Sequence, residues 1–428
     1  MRLKLMMAML LAGSVTASSV AQVAQPAPQP RVAAAANHPA LQALFDGYVA
    51  DRKMDGIVAA IGEGSAPPAF IMAGRVGTAA DTAAAGPDSL WRVYSMTKPI
   101  TGMAAMMLIE DGKLRLDQPI SDFFPAFKSM TVLTDPANSL AARPARTQIT
   151  VRHLLTHTAG LGYTIVTKGP LLKEYERLGL VPFQGLAQAE REARKVRPPT
   201  LQKFAEAVAQ APLIAEPGTK WSYSIGLDVL GAVIEKASGM PFDTFLQQRM
   251  FTPLKMTSTM WTVGPNDVAR FADGTAWAGD TRLPADPARA SVFLQPPSFP
   301  YGGAGLVMSA RDYDRFLLML LNQGQVDGVR VMKPETVRLA MSNLLPAGVT
   351  FGSPQAPEGF GAGGNVFLRD VPGGASKGTY GWGGAAGTIA WVDPVRRLRG
   401  TVMVNYFPAE KWPVRADVVK ALYADHRR

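Results

Sequence analysis

Ser95, Met96, Thr97 and Lys98 set a hydroxyl and an amine three residues apart, a spacing that stacks two side chains on one face of a helical turn. A serine hydroxyl is a poor nucleophile until a neighbouring base takes its proton. The run behind the pair, Ile100 to Ile109, is apolar on nearly every face. An amine enclosed by such a run is driven toward its neutral form by desolvation and becomes a usable base. The positive end of the helix dipole would help to hold developing negative charge. Pro99 falls late in the first turn, where the carbonyl it disrupts is that of Ser95 itself, so the damage stays local. The same four residues also describe an ordinary helix start with an N-cap serine, and the spacing alone does not separate these readings.

Two other constellations compete. Gly374-Ala375-Ser376-Lys377-Gly378 fits a Gly-x-Ser-x-Gly elbow, and Ser376, Asp393 or Asp417, and His426 follow in α/β-hydrolase order. The elbow needs a strand before its serine and a helix after it. Here Pro372-Gly373-Gly374 precedes the serine and Gly378-Thr379-Tyr380-Gly381 follows it, so turns flank it on both sides. His153 and His157 are spaced i, i+4, but Leu154 occupies the place where a metalloprotease needs its glutamate. With four histidines in the chain, a structural histidine pair is the better reading, and no metal or other cofactor is expected. The absence of cysteine excludes a thiol nucleophile, a disulfide scaffold and iron–sulfur ligation.

These residues must be positioned by a chain of 428 residues, 47% hydrophobic and 18% charged, which is globular and long enough for a large core. The net charge is +10, but the basic residues are scattered. Their densest stretch, Glu190 to Lys203, interleaves Glu with Arg and Lys and reads as a solvated helix face, so no nucleic-acid partner is expected. Arg2 and Lys4, the apolar Leu5 to Ala12 and the small-x-small Ser19-Val20-Ala21 mark residues 1–21 as a cleavable export signal. The Pro, Ala and Gln stretch at 22–37 is a linker, and the address is periplasmic or secreted. No later segment is apolar enough for a transmembrane span.

Apolar spacing predicts a helix over His38–Asp51, strands at Ile57–Ile61 and Phe70–Ala73, and a buried helix after Ser95 closed by Gly112. Helices are predicted at Val151–Thr156, Leu201–Ala209 and Leu227–Ala237. Ser309 and Asp312 form a capping-box pattern that opens a helix over Tyr313–Leu321. Gly387–Val392 and Gly400–Asn405 read as an antiparallel hairpin, and Trp412–Tyr423 as a closing helix. Strand patterns therefore sit at both ends, giving a discontinuous α+β domain (38–116 with 299–428) and an inserted, mainly helical domain (117–298).

Five ordered segments together resemble the serine β-lactamase and penicillin-binding-protein superfamily, in its class C-like branch and most of all the family VIII carboxylesterases. They are Ser95-Met96-Thr97-Lys98, Arg152-His153-Leu154-Leu155-Thr156-His157-Thr158-Ala159-Gly160-Leu161, Pro217-Gly218-Thr219-Lys220-Trp221-Ser222-Tyr223-Ser224, Gly303-Ala304-Gly305-Leu306-Val307, and Tyr380-Gly381-Trp382-Gly383-Gly384-Ala385-Ala386-Gly387-Thr388. The resemblance implies a β-lactamase/transpeptidase-like fold with an antiparallel sheet flanked by helices. It implies Ser95 as the acylated nucleophile and Lys98 with Tyr223 as the proton-transfer pair. It also implies an oxyanion hole from the backbone N–H groups of Ser95 and Ala385.

The departures from the family pattern point to the substrate. β-Lactam-acting relatives carry Tyr-x-Asn, where this chain has Tyr223-Ser224-Ile225. They carry Lys-Thr-Gly where it has Trp382-Gly383-Gly384, although Lys377 lies close in sequence and could replace that charge in part. An aromatic wall in place of a cation favours uncharged esters of small acyl groups. A β-lactamase or D-Ala-D-Ala carboxypeptidase using the same site is the alternative, and a non-catalytic envelope-binding protein a second. The loop-rich stretch from Tyr163 to Pro199 lies between two motif segments and is expected to shape the pocket. The sequence sets no oligomeric state.

Overall fold

The computed structural model describes residues 38–182, 185–353 and 355–425. The expected export signal and linker, and His426, lie outside the described residues. Seven strands form the main sheet. Two come early, β1 (Gly56–Glu63) and β2 (Ala69–Gly74). Five come late: β3 (Glu358–Phe360), β4 (Asn365–Phe367), β5 (Tyr380–Gly383), β6 (Ile389–Asp393) and β7 (Leu398–Met403). Their order across the sheet is β3-β4-β5-β6-β7-β1-β2, and each neighbouring pair is antiparallel. The hairpin expected near the chain end is β6–β7, turned after Asp393.

Alternation along β1 sorts its side chains between two cores. Ile57, Ala59 and Ile61 pack with Leu41 and Phe45 of helix α1 (Pro39–Ala50) and with residues of a last helix at Val414–Asp425. Val58 and Ala60 face the other way, into the large core shared with the rest of the chain. Both sets are fully or nearly fully buried, which is why β1 reads as a continuous apolar run. Burying a side chain such as Ile57 contributes about 1.5–3 kcal/mol, and Ile57→Ala would cost about 2–5 kcal/mol.

Helix α2 (Thr97–Glu110) begins directly after a single 3₁₀ turn, Tyr94–Met96, and is buried from Thr97 to Leu108. It ends where Gly112 adopts φ +72°, a conformation glycine reaches without a Cβ penalty. It packs against α3 (Gly226–Ser238), also apolar on most faces. Helix α4 (Ala310–Leu321) covers the inner face of β1 and β7. Ser309 caps it, accepting from the Asp312 N–H at 3.1 Å, but the capping box is only half made. The Asp312 carboxylate instead accepts from the Ser258 N–H and the Thr259 hydroxyl, tying a neighbouring loop to the helix start. The last helix, α5 (Val414–Asp425), packs against α1.

Two expectations for the middle of the chain need correction. The stretch 163–199 is not loop-rich, because helices at Gly169–Arg177 and Ala187–Val196 occupy much of it. Nor is the charged segment from Glu190 simply a solvated face. Glu190 and Arg197 are buried and paired at 2.9 and 3.0 Å, and Arg197 also donates to the Tyr301 hydroxyl at 2.5 Å. Removing one member of such a pair strands the other charge and costs about 3–5 kcal/mol. The region also carries short strands that periodicity did not reveal, such as Gly274–Ala278, which pairs in parallel with Tyr406–Phe407 near the chain end. No helix among the described residues is long and apolar enough to cross a membrane.

Candidate active site

The turn before α2 presents Ser95. Tyr94, its predecessor, has φ +43°, a conformation that bulky residues adopt only when the surroundings enforce it. Val93 donates its N–H to the Leu306 carbonyl at 3.1 Å, and Gly384 fits against the Val93 carbonyl so closely that a Cβ would stand 2.4 Å from that oxygen. The end of β5 is thus wedged against the turn that aims Ser95.

One helical turn on, Lys98 lies buried at 1% exposure, its Nζ 3.2 Å from Ser95 Oγ. It donates to the Gly303 carbonyl at 2.7 Å, while Thr101 donates to the Gly302 carbonyl at 2.6 Å. These bonds hold the 302–303 segment along α2. Tyr223 comes from the loop before α3, and its hydroxyl lies 2.6 Å from Ser95 Oγ. Lys98 Nζ sits 4.7 Å from the centre of the Tyr223 ring and 5.4 Å from that of Tyr163. The three residues chosen from the sequence therefore meet at one point.

The second motif segment explains how the Tyr223 loop is held. The Ser222 N–H donates to the His157 carbonyl at 2.9 Å, the Ser224 N–H to His157 Nδ1 at 3.2 Å, and the Ile225 N–H to the Gly162 carbonyl at 3.1 Å. Burial, with the positive charge of Lys98 nearby, holds the His157 imidazole well below its ordinary range, so the ring is neutral. It therefore braces the tyrosine loop. His153 accepts the Thr150 N–H at 3.2 Å as part of a capping box, and burial lowers it to about 4. Among the described residues no group of three or more potential metal ligands comes together.

Sequence reasoning missed Asp228 and the role of Tyr163. Asp228 is buried at 1% exposure and accepts the Gly303 N–H at 2.8 Å. The carbonyl of that same residue takes the Lys98 ammonium, so a carboxylate and an amine share one glycine. Burial raises the Asp228 carboxyl, and Lys98 opposes that rise. The signal was present, since Asp228 is the one acid between Leu227 and Ile234. Tyr163 packs 5.2 Å from the Tyr223 ring, and burial together with Tyr223 and Asp228 pushes its hydroxyl well above its usual range.

Ser95 and Tyr223 open onto a cavity of about 690 Å³, lined among others by Ile165, Phe351, Trp382 and Ala385. Gly383 and Gly384 line it as well. The Trp382 ring stands 5.9 Å from Tyr223 and 5.2 Å from Phe360, an aromatic wall where a cation was the alternative. Lys377 does not restore that cation: it is exposed on the loop before β5 and absent from the cavity lining. Ile225 is fully buried in the core beneath α3 and faces no substrate. Ser376 is buried on the loop between β4 and β5, with its N–H on Asp393 at 3.1 Å, and lacks the strand–turn–helix setting of an elbow.

Comparison with known proteins follows the same lines. The family model described as Beta-lactamase matches residues 41–424. Protein Rv1367c of Mycobacterium tuberculosis is 35% identical over 334 residues, covering 75% of this chain and 78% of that protein. Esterase EstB of Burkholderia gladioli is 30% identical over 410 residues, covering 90% and 94%. Among solved structures, EstCE1, described as a hydrolase with promiscuous acyltransferase activity, superposes with a TM-score of 0.74 at 26% identity, covering 92% of this chain and 100% of that one.

Proposed function

This chain belongs to the β-lactamase family and is an enzyme of the hydrolase type, and on that premise we propose that it cleaves carboxylic esters of small acyl groups through an acyl-enzyme on Ser95. The observation that carries this reading is the placing of Ser95 Oγ at 2.6 Å from the Tyr223 hydroxyl and 3.2 Å from Lys98 Nζ, beside a cavity walled by aromatic rings. Tyr223 and Lys98 together take the serine proton as Oγ attacks the ester carbonyl. Negative charge gathers on the former carbonyl oxygen, toward the N–H groups of Ser95 and Ala385. The intermediate collapses, and the leaving alkoxide receives the proton held by the pair. A water then gives a proton to the pair as it attacks the acyl carbon, and when the second intermediate collapses the acyl C–Oγ bond breaks and the pair returns that proton to Ser95 Oγ, releasing the acid.

Acyl transfer is a second reading, favoured by the likeness to EstCE1. An alcohol that enters the apolar cavity in place of water would take the acyl group, and aromatic walls favour such an acceptor. The aromatic Trp382 in place of a lysine supports neutral esters over β-lactams and D-Ala-D-Ala peptides. We also propose export to the periplasm or beyond, on the pattern of residues 1–21; the mature N-terminus found by mass spectrometry of periplasmic and spent-medium fractions tests it.

The central experiment presents wild type and Ser95→Ala with p-nitrophenyl butyrate, a chromogenic cephalosporin and a D-Ala-D-Ala peptide. Butyrate turnover that disappears in Ser95→Ala is expected. Cephalosporin or peptide hydrolysis exceeding ester hydrolysis would move the assignment to a β-lactamase or carboxypeptidase. No turnover of any of the three would leave a binding protein that keeps the fold.

A further inference from the structure

The cavity does not end at the aromatic wall beside Ser95. It continues past Gly383 onto the outer face of the sheet, beneath α5, where Trp391, Phe367, Val371, Ala375, Val419 and Tyr423 line it. Register explains why space exists there. Gly381, Trp391 and Gly400 stand in one row across β5, β6 and β7. The Trp391 indole leans over Gly400, where a Cβ would stand 2.3 Å from the ring. Beyond Trp391 the row passes through Gly381, which presents no side chain, to Asn365 of β4; one row along, Gly383 is also without a side chain and is met by the Arg415 guanidinium. The result is a trough with a glycine floor and mostly apolar walls.

Arg415 stands at the neck between the two parts. Its Nη2 donates to the Gly384 carbonyl at 2.8 Å, and a Cβ on Gly383 would stand 2.6 Å from the same nitrogen. Glu410 and Glu358 line the cavity as well, so its charges are of both signs and no field of one sign selects a charged ligand. The walls beyond are mostly apolar, apart from Thr379 and from Asn365 and Glu358, whose side chains bond to each other at 3.1 Å, and the trough is continuous with the space onto which Ser95 opens.

We propose that this outer arm binds an extended apolar chain on the alcohol side of the substrate, so that the enzyme acts on esters joining a small acyl group to an alcohol chain of about eight or more carbons. The inference rests on the reading of Ser95 as the acylated residue. It adds to that reading a second subsite reached through the Gly383 neck. The long chain fills the trough and loses its contact with water, which lowers KM for long esters relative to short ones.

Ala375→Trp and Val419→Trp each fill the trough from a different wall. Three substrates separate the possibilities: p-nitrophenyl butyrate is short, p-nitrophenyl decanoate carries the chain on the acyl side, and decyl acetate carries it on the alcohol side. Wild type is expected to turn over one of the two long esters with a kcat/KM at least equal to that for butyrate. Both filled variants are expected to lose tenfold or more on that ester, chiefly through KM, while butyrate turnover stays within twofold. That ester is expected to be decyl acetate; losses confined to p-nitrophenyl decanoate would put the chain on the acyl side and overturn the proposal. Long-ester turnover that resists both variants, or that falls only in step with butyrate, overturns the proposal. Calorimetric binding of 1-decanol to Ser95→Ala, with and without Ala375→Trp, is independent of catalysis. Binding weakened tenfold by the tryptophan supports the arm even if no ester is cleaved. Binding that is absent or unchanged counts against the arm while leaving the Ser95 reading intact.

Discussion

Ser95 and Ser376 are both buried, at 8% and 5% exposure, both lie within three residues of a lysine in a recognisable motif, and both belong to turns held by the main sheet. Their surroundings differ completely. Ser95 has a tyrosine hydroxyl and a lysine amine within 3.2 Å and faces a cavity. Ser376 has its N–H on Asp393, glycine turns on either side, and a lysine neighbour directed to the surface. A serine becomes a nucleophile through what the fold packs against it. Four residues of sequence can suggest that packing without supplying it.

The largest expected contrast tests this difference directly. Ser95→Ala should lower ester kcat/KM by more than about 10³-fold, whereas Ser376→Ala should leave it within twofold; equal losses in steady-state assays would erase the distinction. Next come the partners. Tyr223→Phe and Lys98→Met should each reduce kcat by about 10²–10⁴-fold, with circular dichroism unchanged for the tyrosine variant. The two losses combined should fall well short of their product, because the groups act as a unit.

A third pair compares the scaffolds. At Gly384 a Cβ would meet Thr388 Oγ1 at 2.2 Å and the Val93 carbonyl at 2.4 Å, so Gly384→Ala should push β5 off the serine turn and reduce kcat/KM by about tenfold or more. Gly378, at φ +86°, flanks the other serine; Gly378→Ala should lower Tm with little effect on turnover. A smaller effect is expected from Asp228→Asn, which keeps an acceptor for the Gly303 N–H but deletes the charge facing Lys98 across that peptide. Lys98, Arg197 and Tyr163 are the charged or titratable groups that sense Asp228. Loss of its charge favours an unprotonated site, so the acid limb of the kcat/KM profile should move to lower pH. An unmoved limb would reduce Asp228 to a packing role.

The smallest contrast concerns acid stability. His153 titrates at about 4 in the folded protein against an ordinary 6.5, so the unfolded chain binds more protons between those values. Stability should therefore fall as pH drops from 6.5 toward 4, by roughly 3 kcal/mol for this residue, with His157 acting in the same direction. Both histidines lie in the segment that braces Tyr223. His153→Gln should flatten the dependence of Tm on pH across this interval.

Much of the site was legible because its signals are local. Ser95 and Lys98 sit in one helical turn, and a strand, a helix or a glycine stop shows its period within a few residues. Tyr223 had no such signature and entered through the likeness of whole segments to a family. Asp228 and Tyr163 stayed hidden because their roles exist only where α2, α3 and the 302–303 segment converge, which no spacing encodes. The short strands β3 and β4, of three residues each, are too brief for alternation to register. The charges of Glu190 and Arg197 misled for a related reason: a buried ion pair and a solvated helix face have the same composition.

The sheet joins the two ends of the chain, with Val58 in register with Met403 and Ala60 with Thr401. A ribosome therefore delivers Ser95, Lys98 and Tyr223 long before the strands that complete their surroundings. Until β5 and β7 emerge, Gly384 cannot wedge the serine turn and the cavity has no floor. Pairing strands so distant in sequence is slow to begin, so the nascent chain spends that interval with the surroundings of Ser95 incomplete. The order of the strands is thus also a timetable: the surroundings of Ser95 are complete only once β7 has been made and has paired with β1 and β6.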